Sequence, residues 1–202
     1  MKQDKINKSF DALRIYIQKH SDLKDEEFEL VSSLFTPVTI KRNHFILREG
    51  EICRYGYFVV KGTLRLYSID KKGEEHIIQF ALEDWWISDV SSMISGKASI
   101  YNIDALEDSD VLQIDKNSFE KFISFSPKFE KMFNLGSQKS RIALQERVTN
   151  FLSMTAEEKY LFMINKYPDI INRVPQRHIA SFLGITPESL SRVRKNLSKN
   201  RS

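Results

Sequence analysis

Gly184 divides two short apolar-patterned runs within VPQRHIASFLGITPESLSRVRKNL, residues 174–197, and no other segment of this 202-residue chain restricts the fold as tightly. Ile179, Ala180 and Leu183 give the first run one apolar side. A glycine directly after it supplies the left-handed residue on which a helix ends without steric cost. Thr186 is placed to cap a second helix through its hydroxyl, and Pro187 suits a first helical position because its missing N–H has no partner there anyway. Glu188 complements the positive end of that helix dipole. The pattern predicts two helices joined by a tight turn.

At about 100° per residue, Leu190, Val193 and Leu197 fall on one side of the second helix. Glu188, Ser191, Arg192, Lys195 and Lys199 fall on the other. A small residue is needed where such helices cross, and Ala180 supplies it; the spacing Gln176, Ala180, Gly184, Leu190, Val193 is that of a helix-turn-helix. A plain helical hairpin with solvated charges is the competing reading. Charge separates the two: residues 139–202 hold twelve bases and five acids, residues 1–138 hold 19 and 22. A cationic end releases counterions from phosphates while an acidic front is repelled by the same polymer, so only the last third is expected to touch double-stranded DNA. Arg192 suits guanine O6 and N7 and Glu188 suits cytosine N4. Thr186, Ser189 and Lys195 suit phosphates, and Gln176 and Ser191 complete the expected DNA-binding set.

The front of the chain has another texture. Phe10, Leu13, Ile17 and then Phe28, Val31, Leu34 follow helical spacing between Ile6 and Leu34. From Thr39 to Ile114 short β runs succeed one another: Thr39–Lys41, Phe45–Arg48, Tyr57–Val60, Leu64–Ile69, His76–Leu82, Tyr101–Leu106 and Val111–Ile114. Gly50, Gly62 and Gly73 fall at intervals of twelve and eleven residues, the rhythm of turns in an antiparallel sandwich or barrel. Asp70-Lys71-Lys72-Gly73 reads as a hairpin turn.

After Ser126-Pro127 no proline recurs until Pro168, which predicts one long helix. Phe129, Met132, Phe133, Gly136, Ser140, Ala143, Leu144, Arg147 and Phe151 lie within about 60° of one line on it, and Phe129, Gly136, Ala143 and Phe133, Ser140, Arg147 repeat by sevens, the spacing of two helices running side by side. This stripe reads as a homodimer face, with packing on the β domain as the alternative. Thr155 and Glu158 form a capping box where the next domain would begin.

A lone Cys53 excludes an internal disulfide, a four-thiolate cluster and a zinc finger of usual spacing, and fits a reducing cytoplasm. His20, His44, His76 and His178 are scattered without ligand spacing, so no metal is expected. No secretory leader or membrane-length apolar run is visible, and no catalytic set is readable, so an enzyme is not expected.

Helical lead-in, glycine-punctuated β-roll, long helix and helix-turn-helix, in this order, resemble the Crp/Fnr family of bacterial transcription regulators. The resemblance implies an α+β fold: an N-terminal antiparallel β-roll of the cyclic nucleotide-binding kind over residues 1–125, a dimerisation helix over 126–152 and a DNA-binding domain over 153–202. It also implies a cytoplasmic homodimeric regulator on palindromic DNA, with RNA polymerase as a candidate partner. The family's phosphate-binding cassette has Gly-Glu followed ten residues later by Arg-Ser; Ser88-Asp89 and Ser99-Ile100 stand there instead. Without the arginine fork, cyclic AMP is not expected in the usual mode. Asp89, Ser99 and Ile100 are then the candidate effector-pocket residues, with an unpaired Asp89 carboxylate favouring a neutral or cationic effector, or none. Pro187 replaces an arginine that makes a base contact in the family, and the chain stops at Ser202, so a different site and no β-wing are expected. The rival reading is a small-molecule-binding module whose terminal helices mediate protein contacts.

Overall fold

The computed structural model describes residues 2–19 and 24–199; His20 and Ser202 lie outside them. Two helices, α1 (Lys2–Gln18) and α2 (Asp25–Ser32), precede the strands. The strands are β1 (Thr36–Ile40), β2 (Phe45–Leu47), β3 (Tyr55–Lys61), β4 (Leu64–Ile69), β5 (Glu75–Ala81) and β6 (Trp86–Ile87). Then come α3 (Val90–Ser95), β7 (Asn102–Ala105), β8 (Ser109–Asp115) and α4 (Lys116–Ser124). The remaining helices are α5 (Pro127–Ser153), α6 (Ala156–Lys166), α7 (Pro168–Arg173), α8 (Gln176–Leu183) and α9 (Pro187–Lys199). This is the expected α+β order; β6 and α3 are additions within a stretch the sequence left unassigned.

The strands form two four-stranded sheets, β1-β8-β3-β6 and β2-β7-β4-β5. Alternation decides their faces. Tyr57 and Val59 of β3 join Leu64, Leu66, Ile103 and Val111 in a core between the sheets, whereas Phe58, Leu112 and Ile114 turn the other way. There they meet Leu13 and Ile17 of α1, Phe28 and Val31 of α2, Phe122 of α4 and Phe129 of α5. Gly62 joins β3 to β4 at φ +104, and a Cβ there would lie 2.2 Å from the Ser109 hydroxyl, so only glycine fits. Trp86 fills this aromatic layer, its ring 5.5 Å from Phe58 and 6.1 Å from Phe35.

The chain separates into two compact units: Met1–Ser68 with Gln79–Ser137, and Ile69–Ile78 with Gln138–Ser202. The second unit therefore contains the tip of the β4–β5 hairpin together with the C-terminal helices. In it α6 and α8 pack against α9, with Tyr160, Met163, Ile179, Ala180, Leu183, Leu190 and Val193 buried.

Candidate nucleic-acid interface and effector pocket

Local chemistry builds the helix-turn-helix. Gly184 ends α8 at φ +64, and Ile185 N–H returns to the Ala180 carbonyl. Gly184 is doubly constrained, because a Cβ there would lie 2.1 Å from the Phe151 ring. The Thr186 hydroxyl accepts from the Ser189 amide at 3.2 Å, the capping bond the sequence predicts, and its carbonyl receives Leu190 N–H. Leu190 and Val193 are buried, while Glu188, Ser191, Arg192, Lys195 and Lys199 are exposed together.

The exposed face is partly organised. Arg192 Nη2 lies 3.4 Å from the Ser189 hydroxyl. The Glu188 carboxyl is held below its ordinary value by its own backbone amide, then by the Thr186 hydroxyl, with Arg192 adding a smaller attraction, so it is an acceptor near neutral pH. Beside it, Gln176 of α8 and Ser191, Arg194, Lys195 and Ser198 of α9 line a groove of about 310 Å³. Arg194 and Ser198 escaped sequence reasoning because they lie off the outward line of α9; the missed signal is that Ser191, Lys195 and Ser198 share one flank, towards which Arg194 also leans.

The cassette pair at spacing ten is brought together, but its members bind each other. Asp89 caps α3, accepting from Ser92 N–H at 3.1 Å, and receives the Ser99 hydroxyl at 2.7 Å. Asp89 and Ser99 are 6% and 3% exposed. The expectation of an unpaired Asp89 carboxylate is thus corrected: the serine in the arginine's place satisfies it. Ile100, 64% exposed, points to solvent rather than into a pocket.

The stripe on α5 also divides. Phe129, 2% exposed, is core, and Phe133 meets Phe119 edge-on at 5.2 Å. Gly136 and Ser140 are exposed and Ala143 half-buried. Arg147 is engaged within its own chain: Nη1 donates to the Ile78 carbonyl at 2.5 Å, Nη2 to the carbonyls of Ile77 at 2.8 Å and Phe182 at 3.2 Å, and the guanidinium stacks 4.0 Å from the Phe182 ring centre. Burial pushes its pKa below the ordinary arginine value. Phe129 thus lies in the core, and Arg147 is committed to partners within its own chain; periodicity finds a packed side without telling what packs on it. Leu144 and Phe151, members of the same expected stripe, form with Val148 an exposed apolar line along its edge.

At the hairpin tip the turn brings ligand atoms of Asp70, Glu74 and His76 within 4.8 Å of one another. His76 Nε2 is 3.0 Å from Asp70, whose other oxygen takes the Lys72 and Glu74 amides. These bonds, that to His76 foremost, hold the Asp70 carboxyl down at about 2.

Residues 37–124 match the model of the cyclic nucleotide-binding domain. The chain is 24% identical over 187 residues to the transcriptional activatory protein AadR of Rhodopseudomonas palustris, covering 87% of this chain and 75% of that protein. It is 23% identical over 164 residues to the cAMP-activated global transcriptional regulator CRP of Salmonella typhimurium, covering 75% and 77%. In fold it is similar to FixK2 of Bradyrhizobium japonicum, with a TM-score of 0.67 at 23% identity over 82% of this chain and 85% of that one. No described helix is long and apolar enough to cross a membrane.

Proposed function

We propose that this chain, which matches the cyclic nucleotide-binding domain over residues 37–124 and is similar along most of its length to transcription regulators of the Crp/Fnr kind, is a cytoplasmic homodimer that reads palindromic DNA with α9. The observation that carries this reading is the outward set Glu188, Ser191, Arg192 and Lys195 beside the cationic groove, raised on a buried Leu190–Val193 side. Arg192 and Glu188 read base edges; Lys195, Arg194, Ser189 and Gln176 take phosphates. Residues 1–125 serve as the sensor or scaffold, 126–152 as the dimer helix and 153–202 as the reading domain. Leu144, Val148 and Phe151 supply the apolar dimer contact along α5. Cyclic AMP is not the effector in the usual mode, since Ser99 offers no charge to a cyclic phosphate and its hydroxyl is bonded to Asp89.

Fragments selected from genomic DNA test the reading. Affinity is expected to fall steeply with salt. Arg192→Ala costs about 1–3 kcal/mol and relaxes one base pair per half-site, whereas Lys195→Ala weakens all sequences alike. A salt slope near zero, or equal losses on selected and random DNA for both variants, removes the reading. The rival protein-contact module predicts that flat slope.

A further inference from the structure

β5 closes one edge of its sheet beside β4, and its residues Glu75, Ile77 and Ile78 are met by side chains of α5 and α8. Glu75 and Ile77, two residues apart, direct their peptide groups the same way. The Ser181 hydroxyl of α8 takes both, donating to the Glu75 carbonyl at 2.6 Å and accepting from Ile77 N–H at 3.0 Å. Arg147 of α5 grips the Ile77 and Ile78 carbonyls and, with the same Nη2, the Phe182 carbonyl of α8. His178, also on α8 and 3% exposed, places Nδ1 3.6 Å from the Glu75 carboxylate. Hairpin tip, long helix and first helix of the DNA-reading pair are thus joined by one arginine and one serine.

On α8, at 100° per residue, His178, Ser181 and Phe182 lie opposite the side that carries Gln176, Ala180 and Leu183. The hairpin therefore seats on the back of α8. Gln176 and the outward residues of α9 remain exposed. A contact that fixes α8 without covering the reading face raises affinity by pre-organisation, because less freedom is lost on binding.

Resting on the DNA-binding reading above, we infer that Arg147 and Ser181 are positioning residues for DNA recognition: they latch the β4–β5 hairpin to the back of α8 and hold α9 in its reading orientation. Linkage then requires reciprocity, so bound DNA tightens the latch as the latch tightens DNA binding.

The test uses the full chain and a genomic fragment selected by the wild-type protein. Ser181→Ala is the mild variant and Arg147→Ala the severe one, each confirmed folded by circular dichroism at the assay temperature. Affinity is expected to fall roughly fivefold or more in each. In the wild type, hydrogen exchange of the Ile77 amide slows when the fragment is added, a response that a contact merely supporting the fold does not give. Wild-type affinity in folded Ser181→Ala, or tighter binding in either variant, overturns the inference, as does an Ile77 amide indifferent to DNA. Should Arg147→Ala fail to fold, Ser181→Ala and the Ile77 amide decide. A wild-type protein that selects no fragment removes the regulator reading and takes this inference with it; wild-type binding matched by Ser181→Ala removes the inference alone.

Discussion

The Ser99 hydroxyl donates to Asp89 at 2.7 Å, so a single residue decides how that buried carboxylate is satisfied. A buried carboxylate needs partners, and Asp89 has them in the Ser92 amide and the Ser99 hydroxyl, so it does not draw a ligand in to satisfy it. Cyclic AMP is accordingly expected to leave the Tm unchanged at millimolar concentration; a rise that grows with concentration would show that the cyclic phosphate finds another cation. Much at this scale was legible. Gly184, Thr186, Thr155 and the Asp70–Gly73 turn were each identified from chemistry confined to a few neighbours, and each has the predicted geometry: Thr155, for instance, shares a reciprocal cap with Glu158. The partnership of Asp89 with Ser99 was not, because hydrogen-bond partners ten residues apart depend on how the intervening chain turns. That turn is α3, six residues long and too short to announce itself by periodicity.

Elements were legible in proportion to their length and the regularity of their pattern. α5 was anticipated from its proline start and α9 from its two-sided charge pattern, whereas β6, two residues long, carries no alternation to detect. The face that α5 buries was only half legible. Phe129 and Arg147 share a line, yet one is core and the other ties the hairpin to α8. The turn between α8 and α9 offers the sharpest element-scale prediction. Gly184→Ala must place a Cβ at φ +64 and displace the Phe151 ring, so a loss of about 2 kcal/mol or more is expected from backbone strain and overpacking together. Denaturant unfolding measures it. A variant as stable as the parent would mean that Phe151 swings clear and α8 ends otherwise.

For the whole molecule, the apolar residues that α5 leaves exposed carry the argument for a dimer. Leu144, Val148 and Phe151 are each more than half exposed and follow one line, an arrangement that water disfavours and that a second copy would cover. Leu144→Asp is expected to yield a folded monomer by sedimentation, because it charges that line without touching the buried layer. Phe129→Asp is expected to unfold the protein, because it charges the layer itself. A Leu144→Asp protein that still sediments as a dimer would move the interface to another face. The hairpin clasp has a consequence for the fate of the molecule outside its working state. A bare strand border invites strands from neighbouring molecules to add on, and Ser181 and Arg147 occupy the groups that such growth would use. Ser181→Ala, which frees that border, is expected to aggregate sooner on storage than the parent, as followed by light scattering.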